Sequence, residues 1–335
     1  MPDLKTKFMG IEIKNPIVVG ACNLSKDKET LIHLEKAGAG AIVYKSLFEE
    51  QIQYERLQFE EKLHEFDERH AEMISIHPNV EHAGPKEHLA ELKKAKKALS
   101  IPLIASLNAV YKETWVEYAK LIEETGVDGL ELNFYTLPRE AEQVNIVDNQ
   151  VEMVRAVREA VSIPIAVKLG PFYSNPLNVM SKIDEAGANG FVLFNRFFHL
   201  DIDVDNEKIT SPFNLSKEGD HKLPLKFTGL LYNKVKGSIC SNTGIFTGKD
   251  MAKMILAGAE CVQIVSAVYK YKAQHIEKML KELEFWMNYR SYKSVDDFRG
   301  KLSDDAIKDP FAYARAQYVD ILMNPENIIK EYTDI

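Results

Sequence analysis

Residues 1–301 read as an α/β fold, a closed (β/α)8 TIM barrel with insertions after strands 2 and 6. Residues 302–335 read as a C-terminal helical extension packing on the barrel or on a partner subunit. Three observations predict this. Short apolar runs that suit strands buried on both faces alternate with helical segments, which implies parallel strands joined by right-handed crossovers. A glycine motif recurs before strands, at Ala37-Gly-Ala, Gly126-Val-Asp, Ala186-Gly-Ala and Ala257-Gly-Ala, where the glycine closes a helix and a small residue leads into a buried strand. The length of 335 residues fits a barrel of ~250 residues plus two insertions and a tail. A doubly wound open sheet is the alternative, but no Gly-x-Gly-x-x-Gly follows the first strand to mark a dinucleotide-binding unit.

Each element has its own signal. Residues 4–14 alternate weakly around Gly10 and suit a short hairpin. Asn15 to Ala21 is the first buried strand, and a helix over 26–37 follows, with Asp27 or Ser25 as N-cap. Gly40-Ala-Ile-Val-Tyr-Lys45 is the second strand. Residues 47–88 are charged and form the first insertion, and a lysine-rich amphipathic helix covers 87–98. The rhythm is then regular: strands over 102–107, 129–133, 163–168 and 190–194, and helices over 112–124, 149–161 and 177–186. Residues 196–236 form the second insertion. A strand over 237–242, a helix over 248–257, a strand over 259–265 and a helix over 272–289 complete the set. Two strands share the opening Ser-Ile-Pro, at Ser100 and Ser162.

Composition narrows the function. Forty-two basic residues against 50 acidic ones give a net charge of −8 with no basic patch, so nucleic acid is not an expected partner. No apolar run approaches ~18 residues, so no membrane span is expected. Met1 to Lys7 lacks the apolar core of a secretory signal. The three cysteines, Cys22, Cys240 and Cys261, have no ligand spacing and read as small buried hydrophobes in a cytoplasmic chain. His64, His70, His77, His82 and His88 place no pair at i, i+4, so no metal site is expected.

In such a barrel the working site lies at the carboxyl ends of the strands. Those ends carry Ala21-Cys22-Asn23, Lys45-Ser46, Asn108, Asn133, Lys168, Asn195, Asn242-Thr243-Gly244 and Ser266-Ala267, with almost no carboxylate. A single strand-end Asn is usually a turn or cap residue, and a single Lys is usually solvated. Two lysines and several asparagines on one rim point instead to a shared site. Amides read the edge of a planar heteroaromatic ring, and lysines favour an electron-rich or anionic partner. Glycine and hydroxyl residues after strands seven and eight suit a phosphate.

Asn15-Pro16 with Gly20-Ala21, Lys45-Ser46, Leu130-Glu-Leu-Asn133, Ala166-Val-Lys168, Asn195, Thr243-Gly244-Ile245 and Gln263-Ile-Val-Ser266 follow in this order. Through them the chain resembles the FMN-dependent dihydroorotate dehydrogenases, and more closely a dihydroorotate dehydrogenase-like branch, from Gly10 to about Lys301. The resemblance implies FMN across the barrel mouth. Ala21 would lie against the isoalloxazine, and Lys45, with Ser46 beside it, and Lys168 would reach the ring. Asn108, Asn133 and Asn195 would hydrogen-bond flavin, and Asn133 and Asn195 substrate as well. Thr243, Gly244 and Ser266 would hold the phosphate, with Thr228-Gly229 helping. The family reaction moves a hydride from a dihydropyrimidine carbon to flavin N5 while a base takes a proton from the neighbouring carbon.

The chain departs from the family at that base. The family pattern Asn-Leu/Ile-Ser-Cys-Pro-Asn is replaced by Asn133-Phe-Tyr-Thr-Leu-Pro138, which leaves Thr136 at the base position and Tyr135 beside it. The family's substrate loop after strand two is replaced by Ala71-Glu-Met-Ile-Ser-Ile-His-Pro-Asn79. Three readings follow: an oxidoreductase for a small dihydropyrimidine-like substrate, a flavin subunit passing electrons to a partner protein, and a flavin-free phosphate-binding lyase or isomerase. The family also implies a homodimer.

Overall fold

The computed structural model describes residues 1–63, 84–135, 145–196, 200–211, 214–308 and 312–323. Eight parallel strands close a barrel: β3 (Ile17–Val19), β4 (Ala41–Val43), β6 (Leu103–Asn108), β7 (Gly129–Asn133), β8 (Ile165–Leu169), β9 (Gly190–Leu193), β12 (Ser238–Asn242) and β13 (Cys261–Ile264). They pair in that order, and β13 returns to β3 to close the ring. A two-stranded hairpin, β1 (Thr6–Phe8) with β2 (Ile11–Ile13), lies across the amino-terminal end, where the Met9 N–H donates to the Ser238 hydroxyl at 2.7 Å.

Helices cover the outside: α1 (Lys28–Lys36), α3 (Pro85–Ala98), α4 (Lys112–Glu123), α5 (Ile146–Ala160), α6 (Pro176–Glu185), α7 (Lys222–Leu231), α8 (Gly248–Ala257) and α10 (His275–Tyr289). Asp27 is the N-cap of α1. The first insertion contains β5 (Leu47–Phe48) and α2 (Glu49–Leu63). The second holds an exposed hairpin of β10 (Asp201–Asp203) and β11 (Lys208–Thr210), and also α7, the sixth helix of the barrel. That helix had weak sequence signals, with Pro224 in its first turn and Gly229 near its end. A short helix, α9 (Ser266–Tyr271), follows β13, and α11 (Arg315–Met323) lies in the tail. Among the described residues no helix is long and apolar enough to cross a membrane.

The two faces of the strands serve two cores. Outward residues such as Ile17, Ile42, Leu103, Leu130, Val167 and Phe191 join the helices in one large core. Inward residues Val18, Ala41, Ile104, Ala166, Val192, Cys240 and Cys261 pack with Phe8, Met9 and Ile13 from the hairpin into a separate plug. The continuous apolar runs of the sequence are this double burial.

Three of the four glycine repeats seen in the sequence cap strand starts. Asp128, Asn189 and Glu260 each precede a strand by one residue. Each accepts from a backbone N–H at the start of the neighbouring strand: Leu103, first in β6, at 2.8 Å, Ile165, first in β8, at 2.9 Å and Ile239, second in β12, at 2.6 Å. The Ser-Ile-Pro pairs work similarly. Glu35 accepts from the Ser100 N–H at 2.8 Å, and Glu123 from the Ser162 N–H at 2.8 Å. Orphan donors at a closed barrel's floor have few other partners, so these acceptors recur.

Burial raises the Glu260 carboxyl from its ordinary 4.5 to about 7. The folded state then keeps a proton that the unfolded chain releases above 4.5. This contribution to stability is complete below the lower value and is lost as the pH climbs through the higher one. Relative to Glu260→Gln, the wild type should therefore lose unfolding free energy across that window. Parallel stability–pH curves for the two proteins in denaturant titrations would contradict this.

Candidate active site at the barrel mouth

The period of two along each strand builds the site in layers. Two residues beyond the apolar plug, Ser106, Lys168, Asn242 and Gln263 take the same inward phase, and Glu131 and Asn133 do so in β7. Ser106, Glu131, Gln263 and Lys168 are all buried. The strand ends carry almost no carboxylate, as the sequence suggested, but one stands close by. Glu131 lies just beneath them, at 0 % exposure. Sequence reasoning missed its role, although counting back two from Asn133 would have found it.

Lys168 donates to the Gln263 Oε1 at 2.8 Å, and the Gln263 Nε2 donates to the Glu131 Oε2 at 2.7 Å. The Lys168 ammonium also stands 3.7 Å from the Glu131 Oε1. Lysine only donates and a carboxylate only accepts, so this is the one amide orientation of Gln263 that satisfies both. The Lys168–Gln263 bond takes one of three ammonium donors, and Glu131 attracts the charge without taking a second. Gly20 makes the arrangement possible. A Cβ there would lie 2.8 Å from the Gln263 Oε1 and 2.9 Å from its Cγ.

Above this layer the asparagines interlock. The Asn108 amide donates to the Asn133 carbonyl at 2.8 Å, and the Asn195 amide donates to the Asn133 Oδ1 at 2.6 Å. Asn242 and Thr243 both donate to the Phe194 carbonyl, at 3.1 and 3.0 Å. The Ser46 hydroxyl pairs with that of Ser106 at 2.8 Å. Lys45 lies two residues past β4, and burial, with the nearby Lys26 cation, pulls its ammonium below the ordinary lysine value. Ala21 and Cys22 are half-buried at the same end. Burial raises the Cys22 thiol against the hydrogen bonds it receives from Leu24 and Ser25; Cys22 is only half-buried, whereas Cys240 and Cys261 are fully buried as expected. Tyr135 is 36 % exposed at the end of the β7 strand. Thr136 and residues 71–79 lie outside the described residues.

The end expected to hold phosphate is more enclosed than the sequence suggested. Thr243 and Gly244 both have positive φ, 77° and 72°. Gly244 packs under the start of α7, where a Cβ would lie 2.6 Å from the His221 N, and the His221 Nδ1 donates to the Gly244 carbonyl at 3.1 Å. The Ser266 hydroxyl accepts from the Ser216 N–H at 2.9 Å and pairs with its hydroxyl at 2.6 Å. Lys270 donates to the Ser216 carbonyl at 2.9 Å. Ser216 and His221 therefore belong to this end and carried no motif that marked them. Thr228 and Gly229 do not belong to it. Thr228 faces the outer side of β12, its hydroxyl 2.6 Å from that of Ser241, and Gly229 packs under the Tyr313 ring and accepts from the Asp304 N–H. Both sit near the carboxyl end of α7, which runs away from the mouth.

One buried cation, a second cation on the rim and a set of amides suit an electron-rich planar ring carrying amide edges. The model of the family described as dihydroorotate dehydrogenase matches residues 3–287. The chain belongs to the dihydroorotate dehydrogenase family. It is similar to the dihydroorotate dehydrogenase B (NAD(+)) catalytic subunit of Methanocaldococcus jannaschii, 28 % identical over 304 residues, covering 82 % of this chain and 90 % of the relative. The catalytic subunit of the same name from Thermoplasma volcanium is 28 % identical over 311 residues, 90 % of this chain and 98 % of the relative. The NAD-dependent dihydropyrimidine dehydrogenase subunit PreA of Escherichia coli K12 is 23 % identical over 329 residues, 91 % of this chain and 78 % of the relative. As a member of the dihydroorotate dehydrogenase family the chain is an oxidoreductase acting on CH–CH groups, with FMN as its cofactor. The donor set fits that cofactor: Lys168 keeps donors beyond its bond to Gln263, and the asparagines stand above it.

Gly20→Ala should push Gln263 out of its bridge and cost about 1–3 kcal/mol of stability by overpacking. Denaturant unfolding tests this, and a variant as stable as the wild type would show that Gln263 has room to spare.

Proposed function

We propose that the chain oxidises a CH–CH bond of a dihydropyrimidine-like ring at the barrel mouth. The observation that carries this reading is Lys168, balanced by buried Glu131 and set beneath three interlocked asparagines. FMN, when bound, supplies the acceptor for the hydride that leaves the ring carbon. Lys45 and Lys168 would hold its ring, with Ala21 against its face and Ser46 beside Lys45. Thr243, Gly244 and Ser266 would hold its phosphate. Asn108, Asn133 and Asn195 can donate and accept at once, so they would orient a ring with alternating amide N–H and carbonyl edges. Thr136 or Tyr135 would take the proton from the neighbouring carbon.

The names of the relatives support a second element. Two are called catalytic subunits and one a dehydrogenase subunit, so we propose that this chain passes its electrons to a partner protein. We also propose a cytoplasmic homodimer. The exposed apolar residues of α11, Tyr318, Leu322 and Met323, offer a face for the second copy.

Anaerobic mixing of the FMN-loaded protein with dihydroorotate and with dihydrouracil tests the substrate class. One of the two should bleach the flavin bands, and bleaching by neither would overturn it. Lys168→Ala should slow the bleaching by about 10²-fold, the scale of losing one electrostatic stabiliser. An unchanged rate would remove Lys168 from its assigned role.

A further inference from the structure

We infer that Glu131 is a positioning residue that sets the charge beneath the cofactor ring: its carboxylate balances the Lys168 ammonium through space, while Gln263 takes up the hydrogen bonds between them. The inference rests on FMN lying across the mouth as proposed above. Glu131 is completely buried, and its Oε1 has no hydrogen-bond partner among the described residues. That oxygen lies 3.7 Å from the Lys168 Nζ, too far for a hydrogen bond and close enough for a strong attraction between two buried groups. A buried carboxylate with an unbonded oxygen is costly, and a well-packed apolar side chain would serve the fold at least as well. Stability alone does not account for it.

The pair is lopsided in a useful way. Glu131 is sealed below, whereas Lys168 keeps 6 % exposure toward the mouth. The negative end therefore faces the apolar plug and the positive end faces the ligand. Gln263 fixes this order, since its amide is bonded to both and occupies the space that a Cβ at Gly20 would take. A ring above Lys168 meets a cation tempered by the charge behind it. Deleting the negative charge leaves that cation uncompensated, which favours an electron-rich ring.

The test is the two-electron midpoint potential of the FMN-loaded protein at fixed pH. Glu131→Gln keeps the volume and removes the charge, with the amide oxygen still able to accept from the Gln263 Nε2. It should raise the potential, by a shift equal to about a tenfold change in the ratio of reduced to oxidised cofactor at a given reductant. Glu131→Asp retains the charge and should stay near the wild-type potential. It also gives a reading should the glutamine variant fail to hold FMN. A Glu131→Gln potential that is unchanged or lower, or a Glu131→Asp potential that rises away from the wild type, would overturn the inference. A merely structural role would weaken FMN binding without moving the potential in one direction. Failure of the site reading is separable, because the wild type would then bind no FMN at all.

Discussion

The attraction between Lys168 and Glu131 inside a closed barrel is the constraint around which the mouth is arranged. A buried ion pair broken on one side costs about 3–5 kcal/mol, so the surrounding residues are held to positions that keep it intact. Gln263 bridges the two charges, Gly20 leaves space for Gln263, and the apolar plug beneath excludes water from the carboxylate. The plug in turn depends on the β1–β2 hairpin, whose Phe8 and Met9 close the floor. A short sequence at the amino terminus thus helps to set the dielectric around a charge at the far end of the barrel.

Much of this was legible in the sequence. The glycine motif marked helix ends before buried strands, and the structure adds that in three of the four repeats the residue just before the strand caps the neighbouring one. The strand-end lysines and asparagines were found because one amino acid type recurred at one phase of a repeated element. Glu131 was read as part of a motif and not as an inward side chain, although its phase relative to Asn133 was visible. The helix α7 was hidden because it lies inside an insertion and carries Gly229, whose local preference tertiary packing overrides, while Pro224 is tolerated in its first turn. Ser216 and His221 could not be found, because contacts across 50 and 23 residues of chain leave no local pattern.

The two ends of the mouth differ in character. The ring end is built from strands, with side chains fixed by the barrel wall. The end proposed for the phosphate is built from the loop before α7 folded over the ends of β12 and β13, so that Ser216 ties to Ser266 and His221 to Gly244. The departures from the family pattern fall elsewhere, after β7 and after β4, where the substrate rather than the cofactor would be met.

The most direct measurement is the visible absorbance spectrum of the purified chain together with its FMN content. The account expects flavin bands and one FMN per chain, with the cofactor released more readily when Lys168 is replaced by Ala. A colourless protein that does not take up added FMN would contradict it, and the buried charge pair would then need another ligand to explain it.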